Sequence, residues 1–144
     1  MNPLVLLIED DDDIREVVGD ILESRGISVM RARNGRHAIG EVRARGVRPD
    51  VIVLDLTMPE MDGAEFLAAQ EREPLLVQVP VVIATAQIDH PDPLPATVRK
   101  ILFKPVPLAQ LFDTVWGLCK GTIEAPTATL AKGTGRLPSP IDDE

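Results

Sequence analysis

The sequence predicts an α/β domain whose parallel sheet is covered by helices on both faces, a doubly wound arrangement. Three observations carry that reading. Leu4–Ile8, Val51–Leu54 and Val81–Ala84 are short, continuously apolar runs, the pattern of strands buried on both faces rather than on one. Amphipathic stretches alternate with these runs, as right-handed βαβ crossovers require. Each run also stops abruptly on a polar residue: Glu9, Asp55 or Thr85.

The first strand, Leu4–Ile8, ends at five consecutive acidic residues, Glu9 to Asp13. Asp11 to Asp13 suit a helix N-cap and acidic first turn. Ile14, Val17, Val18, Ile21 and Leu22 then fall on one helical face, which stops at Gly26. Ile27–Ala32 is strand-like, Asn34-Gly35 reads as a turn, and Arg36–Arg45 carries Ile39 and Val42 as a short apolar face ending at Gly46. After the third strand, Val51–Leu54, comes a loop over Met58–Gly63. A helix over Ala64–Arg72 follows, with Phe66 and Leu67 inward, and then the fourth strand, ending at Thr85. Pro91, Pro93 and Pro95 block a long helix between Gln87 and Lys100. Ile101–Phe103 is a short fifth strand, and Leu108, Leu111, Phe112, Val115, Trp116 and Cys119 define a last amphipathic helix closed by Gly121. Residues 1–121 thus form one domain. Residues 122–144, rich in Thr, Ala, Gly and Pro, read as a flexible tail with no output domain.

Composition removes several classes of function. The chain has 144 residues, with 15 Lys and Arg against 23 Asp and Glu, a net charge of −8. An acidic chain lacks the basic surface that binding to a phosphate backbone needs, so no direct nucleic-acid partner is expected. No run approaches the ~20 apolar residues of a membrane span, and no signal peptide opens the chain, so no membrane insertion is expected. A single cysteine, Cys119, excludes an internal disulfide framework and suits a reducing, cytoplasmic setting. Cys119 lies on the apolar face of the last helix and reads as packing, with Trp116 beside it at the edge of that face. His37 and His90 have no third partner for a zinc site.

The residues at the strand ends point to chemistry. In a parallel sheet, ligands bind beyond the carboxyl ends of the strands. Glu9, Asp10 and Asp55 there concentrate negative charge in one crevice, which a divalent cation with oxygen ligands relieves; Mg²⁺ (or Mn²⁺) suits such a set. Lys104 adds a mobile cation for a phosphoryl oxygen, and Thr85 a hydroxyl donor. A carboxylate nucleophile with these neighbours is equipped to accept a phosphoryl group.

Four motifs carry a family resemblance: Leu6 to Asp11, Val53 to Gly63 (with its Asp-x-x-Met-Pro-x-Met-Asp-Gly core), Val82 to Ala86, and Phe103 to Pro105. In their order and spacing, over about residues 4–119, the chain resembles a receiver domain of two-component response regulators. The resemblance implies a flavodoxin-like sheet of order 2-1-3-4-5. It implies that Asp55 accepts a phosphoryl group from a sensor histidine kinase or phosphotransfer protein. Glu9, Asp10, Asp55 and the Thr57 carbonyl would hold the metal, while Thr85, the Ala86 amide and Lys104 would bind phosphoryl oxygens. It also implies a cis Lys104–Pro105 bond, and a single-domain regulator that signals by contact with a downstream protein rather than acting as an enzyme on other substrates.

The chain departs from the family's pattern in three places. Its Thr85-to-Lys104 interval is short and proline-broken, Ile101 stands where the family usually has an aromatic switch, and Glu9 replaces the commoner Asp. The remaining alternative is an interaction module with the same fold that works without phosphorylation. A haloacid-dehalogenase-type hydrolase would need a second Asp where Thr57 stands, and an FMN site does not suit the acidic loop after the first strand.

Overall fold

A computed structural model describes residues 2–56, 63–86 and 94–120. Five parallel strands, β1 (Leu4–Ile8), β2 (Ser28–Ala32), β3 (Val51–Leu54), β4 (Val81–Thr85) and β5 (Val98–Phe103), form one sheet of order β2-β1-β3-β4-β5. The described helices are α1 (Asp12–Ser24), α2 (Gly35–Arg45), α3 (Gly63–Gln70) and α4 (Leu108–Lys120). Alternation along the strands divides the core into two layers. Leu6, Ile8, Ile52, Leu54, Val81 and Ile83 face α2 and α3, where Phe66 is fully buried. Val5, Leu7, Val51, Val53, Val82 and Leu102 face α1 and α4. The fully apolar strands of the sequence are therefore buried on both sides, as expected.

Helix ends follow local chemistry. The Asp11 side chain caps α1 by accepting from the Ile14 amide at 3.0 Å. Asn34-Gly35, which reads as a turn in the sequence, instead starts α2: the Asn34 side chain accepts from the His37 amide at 2.7 Å. The same residue type serves both purposes, because its side chain satisfies exposed backbone donors in either setting. Gly46 ends α2 in the left-handed conformation, φ 63°, which glycine adopts without a Cβ penalty.

Four expectations are corrected at this level. α3 runs Gly63–Gln70 rather than Ala64–Arg72. It stops where the buried Gln70 amide turns back to donate to the Leu76 and Val79 carbonyls, both at 2.9 Å. β5 begins at Val98, three residues before the apolar run. As the sheet's edge strand it tolerates Arg99 and Lys100, and a register shift lies between Val81 and Val82 where they pair with Val98 and Lys100. β2 begins at Ser28, because Ile27 is taken up by the turn, its amide donating to the Leu22 carbonyl at 3.1 Å. Finally, Ile14 and Val17 are not core residues. They are 38% and 51% exposed, and only Val18, Gly19 and Leu22 of α1 are buried, because Ile14 and Val17 line a cleft beside the carboxyl ends of the strands. The first half of the proline-broken segment (residues 87–93) and the tail beyond Lys120 lie outside the described residues.

On α4, Phe112 and Trp116 stack with centroids 5.6 Å apart, and Arg25 and Lys120 cap their faces at 4.8 and 4.6 Å. Cys119 is half-buried and packs against the α1/α4 layer. Burial, reinforced by the negative charge of Asp50, pushes its thiol up to about 11. Since the thiolate is the reactive form, Ellman's reagent at mildly alkaline pH is expected to modify native Cys119 on the order of 100-fold more slowly than the urea-unfolded chain.

Candidate functional site

The strand register assembles the site. Ile8 of β1 pairs with Leu54 of β3, Leu54 with Ile83 of β4, and Thr85 with Phe103 of β5. Glu9, Asp55 and Lys104, each the first residue beyond its strand, therefore meet at one edge. Side-chain alternation does the rest: each of the three lies two residues after Leu7, Val53 or Leu102, all members of the α1/α4 layer. Their side chains accordingly converge on that side of the sheet edge. Backbone hydrogen bonds fix the ends: the Glu9 amide donates to Ala32, the Asp55 amide to Ile8 and the Lys104 amide to Thr85, at 3.0, 3.2 and 2.9 Å.

The Lys104 ammonium donates to Glu9 Oε1 at 2.8 Å and lies 3.4 Å from Asp55 Oδ2. Carboxylate oxygens of Glu9, Asp10 and Asp55 all lie within 4.8 Å of one another. Glu9 and Asp55 are buried, whereas Asp10 faces solvent. Thr85 is 1% exposed, and Ala86 stands exposed immediately after it. The structure thus brings Glu9, Asp10, Asp55 and Lys104 together. It places Thr85 and Ala86 at the same sheet edge, while Thr57 lies outside the described residues. The Lys104–Pro105 peptide is cis.

Burial pushes Glu9 above the usual carboxylate range, and the Asp55 charge adds to that rise; the hydrogen bonds and charge of Lys104 and the Asp11 amide only partly offset it. Burial pulls Lys104 down, but the hydrogen bond and charge of Glu9, with those of Asp55, outweigh it, so the ammonium ends above its ordinary value. A raised carboxyl pKa means that the fold prefers Glu9 protonated. Stability from this group is present at acid pH and is lost as pH rises from the unfolded value near 4.5 through the folded one. Three carboxylates and one ammonium leave an excess of negative charge in a half-enclosed crevice. The donor set is all oxygen, with Asp10 open to water, which fits a hard divalent cation that keeps part of its hydration.

Sequence reading missed two supports of the site. The Arg15 guanidinium donates to the Glu9 carbonyl at 2.8 Å and also pairs with Asp12, so α1 braces the acidic loop. Nothing in the spacing alone distinguishes Arg15 from a surface arginine. Gly63 opens α3 hard against β3's end, its amide donating to the Leu56 carbonyl at 2.9 Å. A Cβ at that position would lie 2.6 Å from Leu56 Cα and 3.2 Å from the Asp55 carbonyl oxygen. Here the final glycine of the Asp-Gly motif supplied a signal. Ile101, paired with Ile83, packs half-buried against the α2/α3 layer.

Beside the carboxylates runs a cleft of about 580 Å³ that includes Glu9 and Lys104 but is otherwise mostly apolar, with Ile14, Val17, Val106 and Leu108 along it.

A sequence model described as "Response regulator receiver domain" matches residues 5–115. The chain belongs to the response regulator receiver domain family. Among curated relatives, a protein-glutamate methylesterase/protein-glutamine glutaminase of Treponema pallidum is 39% identical over 84 residues, 57% of this chain but 20% of that protein. The receiver thus spans about a fifth of the length of that multidomain relative. Among solved structures, the receiver domain of Francisella response regulator 1452 superimposes with a TM-score of 0.70 at 28% identity, covering 84% of this chain and 99% of that one. Response regulator TrrA of Thermotoga maritima, solved with Mg²⁺ and BeF, shares the fold with a TM-score of 0.68 at 21% identity, covering 81% and 98%. An acidic cluster such as Glu9, Asp10 and Asp55 is typical of Mg²⁺ binding in receivers. Among the described residues, no helix is long and apolar enough to cross a membrane.

Two outcomes follow for stability. Asp55→Asn removes one of the crowded charges while Glu9 keeps Lys104, and is expected to stabilise the metal-free protein by about 1 kcal/mol in urea unfolding. Gly63→Ala forces α3 away from the Asp55–Leu56 backbone and is expected to destabilise by about 1–3 kcal/mol in the same measurement.

Proposed function

We propose that this receiver accepts a phosphoryl group on Asp55 from a phosphohistidine of a sensor histidine kinase or phosphotransfer protein, and signals by contact with a downstream protein. The observation that carries the reading is Lys104 Nζ poised between Glu9 and Asp55, 2.8 and 3.4 Å away, beside the cluster of three carboxylates. An Asp55 oxygen attacks phosphorus, the P–N bond to the donor imidazole breaks as the P–O bond forms, and the imidazole, already protonated on its other ring nitrogen, keeps the P–N electron pair and leaves as the neutral ring. Lys104 then shifts its pairing toward a phosphoryl oxygen, while the Thr85 hydroxyl and Ala86 amide donate to the others. Glu9, Asp10, Asp55 and the Thr57 carbonyl would hold Mg²⁺ (or Mn²⁺), which supplies charge neutralisation for the transferring phosphoryl oxygens.

Two features support a protein as the donor. The apolar cleft beside the acidic cluster places Ile14, Val17 and Leu108, all more than a third exposed, within reach of a partner approaching Asp55. The exposed carboxylate Asp10 leaves the site open on that side. With Ile101 in place of an aromatic residue, the response to phosphorylation does not rely on ring rotation coupled to Thr85. We place the protein in the cytoplasm, where such kinases present their phosphohistidine.

Intact-mass measurement after incubation with acetyl phosphate and Mg²⁺ tests the proposal. Wild type is expected to gain one phosphoryl group; Asp55→Asn, or wild type with EDTA, is expected to gain none. Absence of an adduct, together with no binding of beryllofluoride, would overturn phosphoacceptance and favour the phosphorylation-independent interaction module. Lys104→Ala is expected to keep the fold but lower the phosphorylation rate by about 10²-fold or more, measured by quenched-flow mass analysis.

A further inference from the structure

We infer that the groove between α2 and α3, on the sheet face opposite the α1/α4 layer, is a docking site for an acidic peptide segment of a partner protein. The groove has a volume of about 450 Å³ and is bordered by Arg36, Gly40 and Arg43 of α2, with Arg72 and Glu73 just beyond α3. Its charge contrasts with that of the rest of the chain. Between residues 33 and 48 there are five arginines and one glutamate in a protein whose net charge is −8.

Only part of that charge is used by the fold. Arg43 Nε is held at 2.6 Å by the buried Glu73 carboxylate, yet its side chain remains 68% exposed. Arg45 pairs with Glu41 at 3.2 Å. Arg36 and Arg72 have no ion-pair partner among the described residues. The groove therefore presents two uncommitted guanidinium groups and a third fixed in place by a carboxylate from below.

Gly40 is the independent observation. It lies inside α2, where glycine costs about 1 kcal/mol relative to alanine. The fold does not need it: a Cβ there would meet nothing within 4 Å, and its φ is not positive. Arg36, Gly40 and Arg43 stand at i, i+4 and i+7, on one helical face. The glycine therefore bares the helix backbone between two arginines, room that a chain lying along the groove can use.

Spacing selects a peptide over a small anion. Seven residues of helix separate Arg36 from Arg43, about 10 Å along the axis. A single phosphate engages both only if both long side chains fold inward, whereas carboxylates carried at intervals along a chain meet each guanidinium where it stands. Arginine's planar fork suits such carboxylates.

The test is titration of the ¹⁵N-labelled protein with deca-glutamate at about 0.1 M ionic strength, where surface charges further apart than about 10 Å are largely screened. The expected result is saturable amide shifts confined to α2, α3 and the turn through Glu73. Arg36→Gln/Arg72→Gln is expected to weaken binding at least about tenfold. Gly40→Leu keeps every charge, fills the groove, and is expected to weaken it about fivefold without lowering stability in urea. Unchanged affinity in Gly40→Leu would overturn the proposal, as would no saturable shift with deca-glutamate. Inorganic phosphate giving the same shifts and affinity would overturn it in favour of a small-anion site.

Discussion

Negative charge confined at the carboxyl edge of the sheet, with Lys104 as its nearest counter-ion, is the interaction on which the rest of this structure turns. Glu9 and Asp55 are both buried, and Lys104 lies within 3.4 Å of each. In a half-buried crevice such a cluster repels itself by several kcal/mol at an effective dielectric of about 20. Burial raises Glu9 rather than lowering it, so the lysine does not fully compensate. The fold is thus held in a state that an added cation, or a redistribution of charge around Asp55, would relieve. That instability is local, and the two apolar layers beneath it are large enough to carry it.

The layers hold the charges in place through simple geometry. Parallel pairing of Ile8 with Leu54 makes β1 and β3 end level, and the pairing of Thr85 with Phe103 does the same for β4 and β5. Alternation then sends Glu9, Asp55 and Lys104 toward the α1/α4 side, above Leu7, Val53 and Leu102. A slip of one residue in any pairing would turn the corresponding functional side chain to the other face. Arg15 and Gly63 tighten the arrangement from the helices on either side of the sheet, one by binding the Glu9 carbonyl, the other by allowing α3 to approach the Asp55 backbone.

The two helical faces differ in chemistry. On the α1 side, acidic residues crowd the site and an apolar cleft adjoins it. On the α2/α3 side, arginines and Glu73 border a groove of mixed lining. The two surfaces thus differ in character without enlarging the core, because each is built from residues that the packed faces of the helices leave free.

Much of this was legible in the residues themselves. Continuous apolar runs established buried parallel strands, and polar residues at their ends, with the motifs around Asp10, Asp55, Thr85 and Lys104, marked the site. Strand and helix interiors are set by local periodicity, which sequence displays directly. Other features depend on partners distant in the chain. Ile14 and Val17 have the spacing of core residues, yet they lie open along the cleft beside Glu9 and Lys104. β5 extends through Arg99 and Lys100 because an edge strand needs only one paired neighbour. α3 ends early because Gln70 is needed by the carbonyls of Leu76 and Val79. The sequence by itself determined the order of the elements, their interiors and the polar groups at the strand ends. Only the tertiary structure decided where the elements begin and end, which of those groups meet and which apolar residues stay exposed, because register and groove shape arise from packing between segments far apart in the chain.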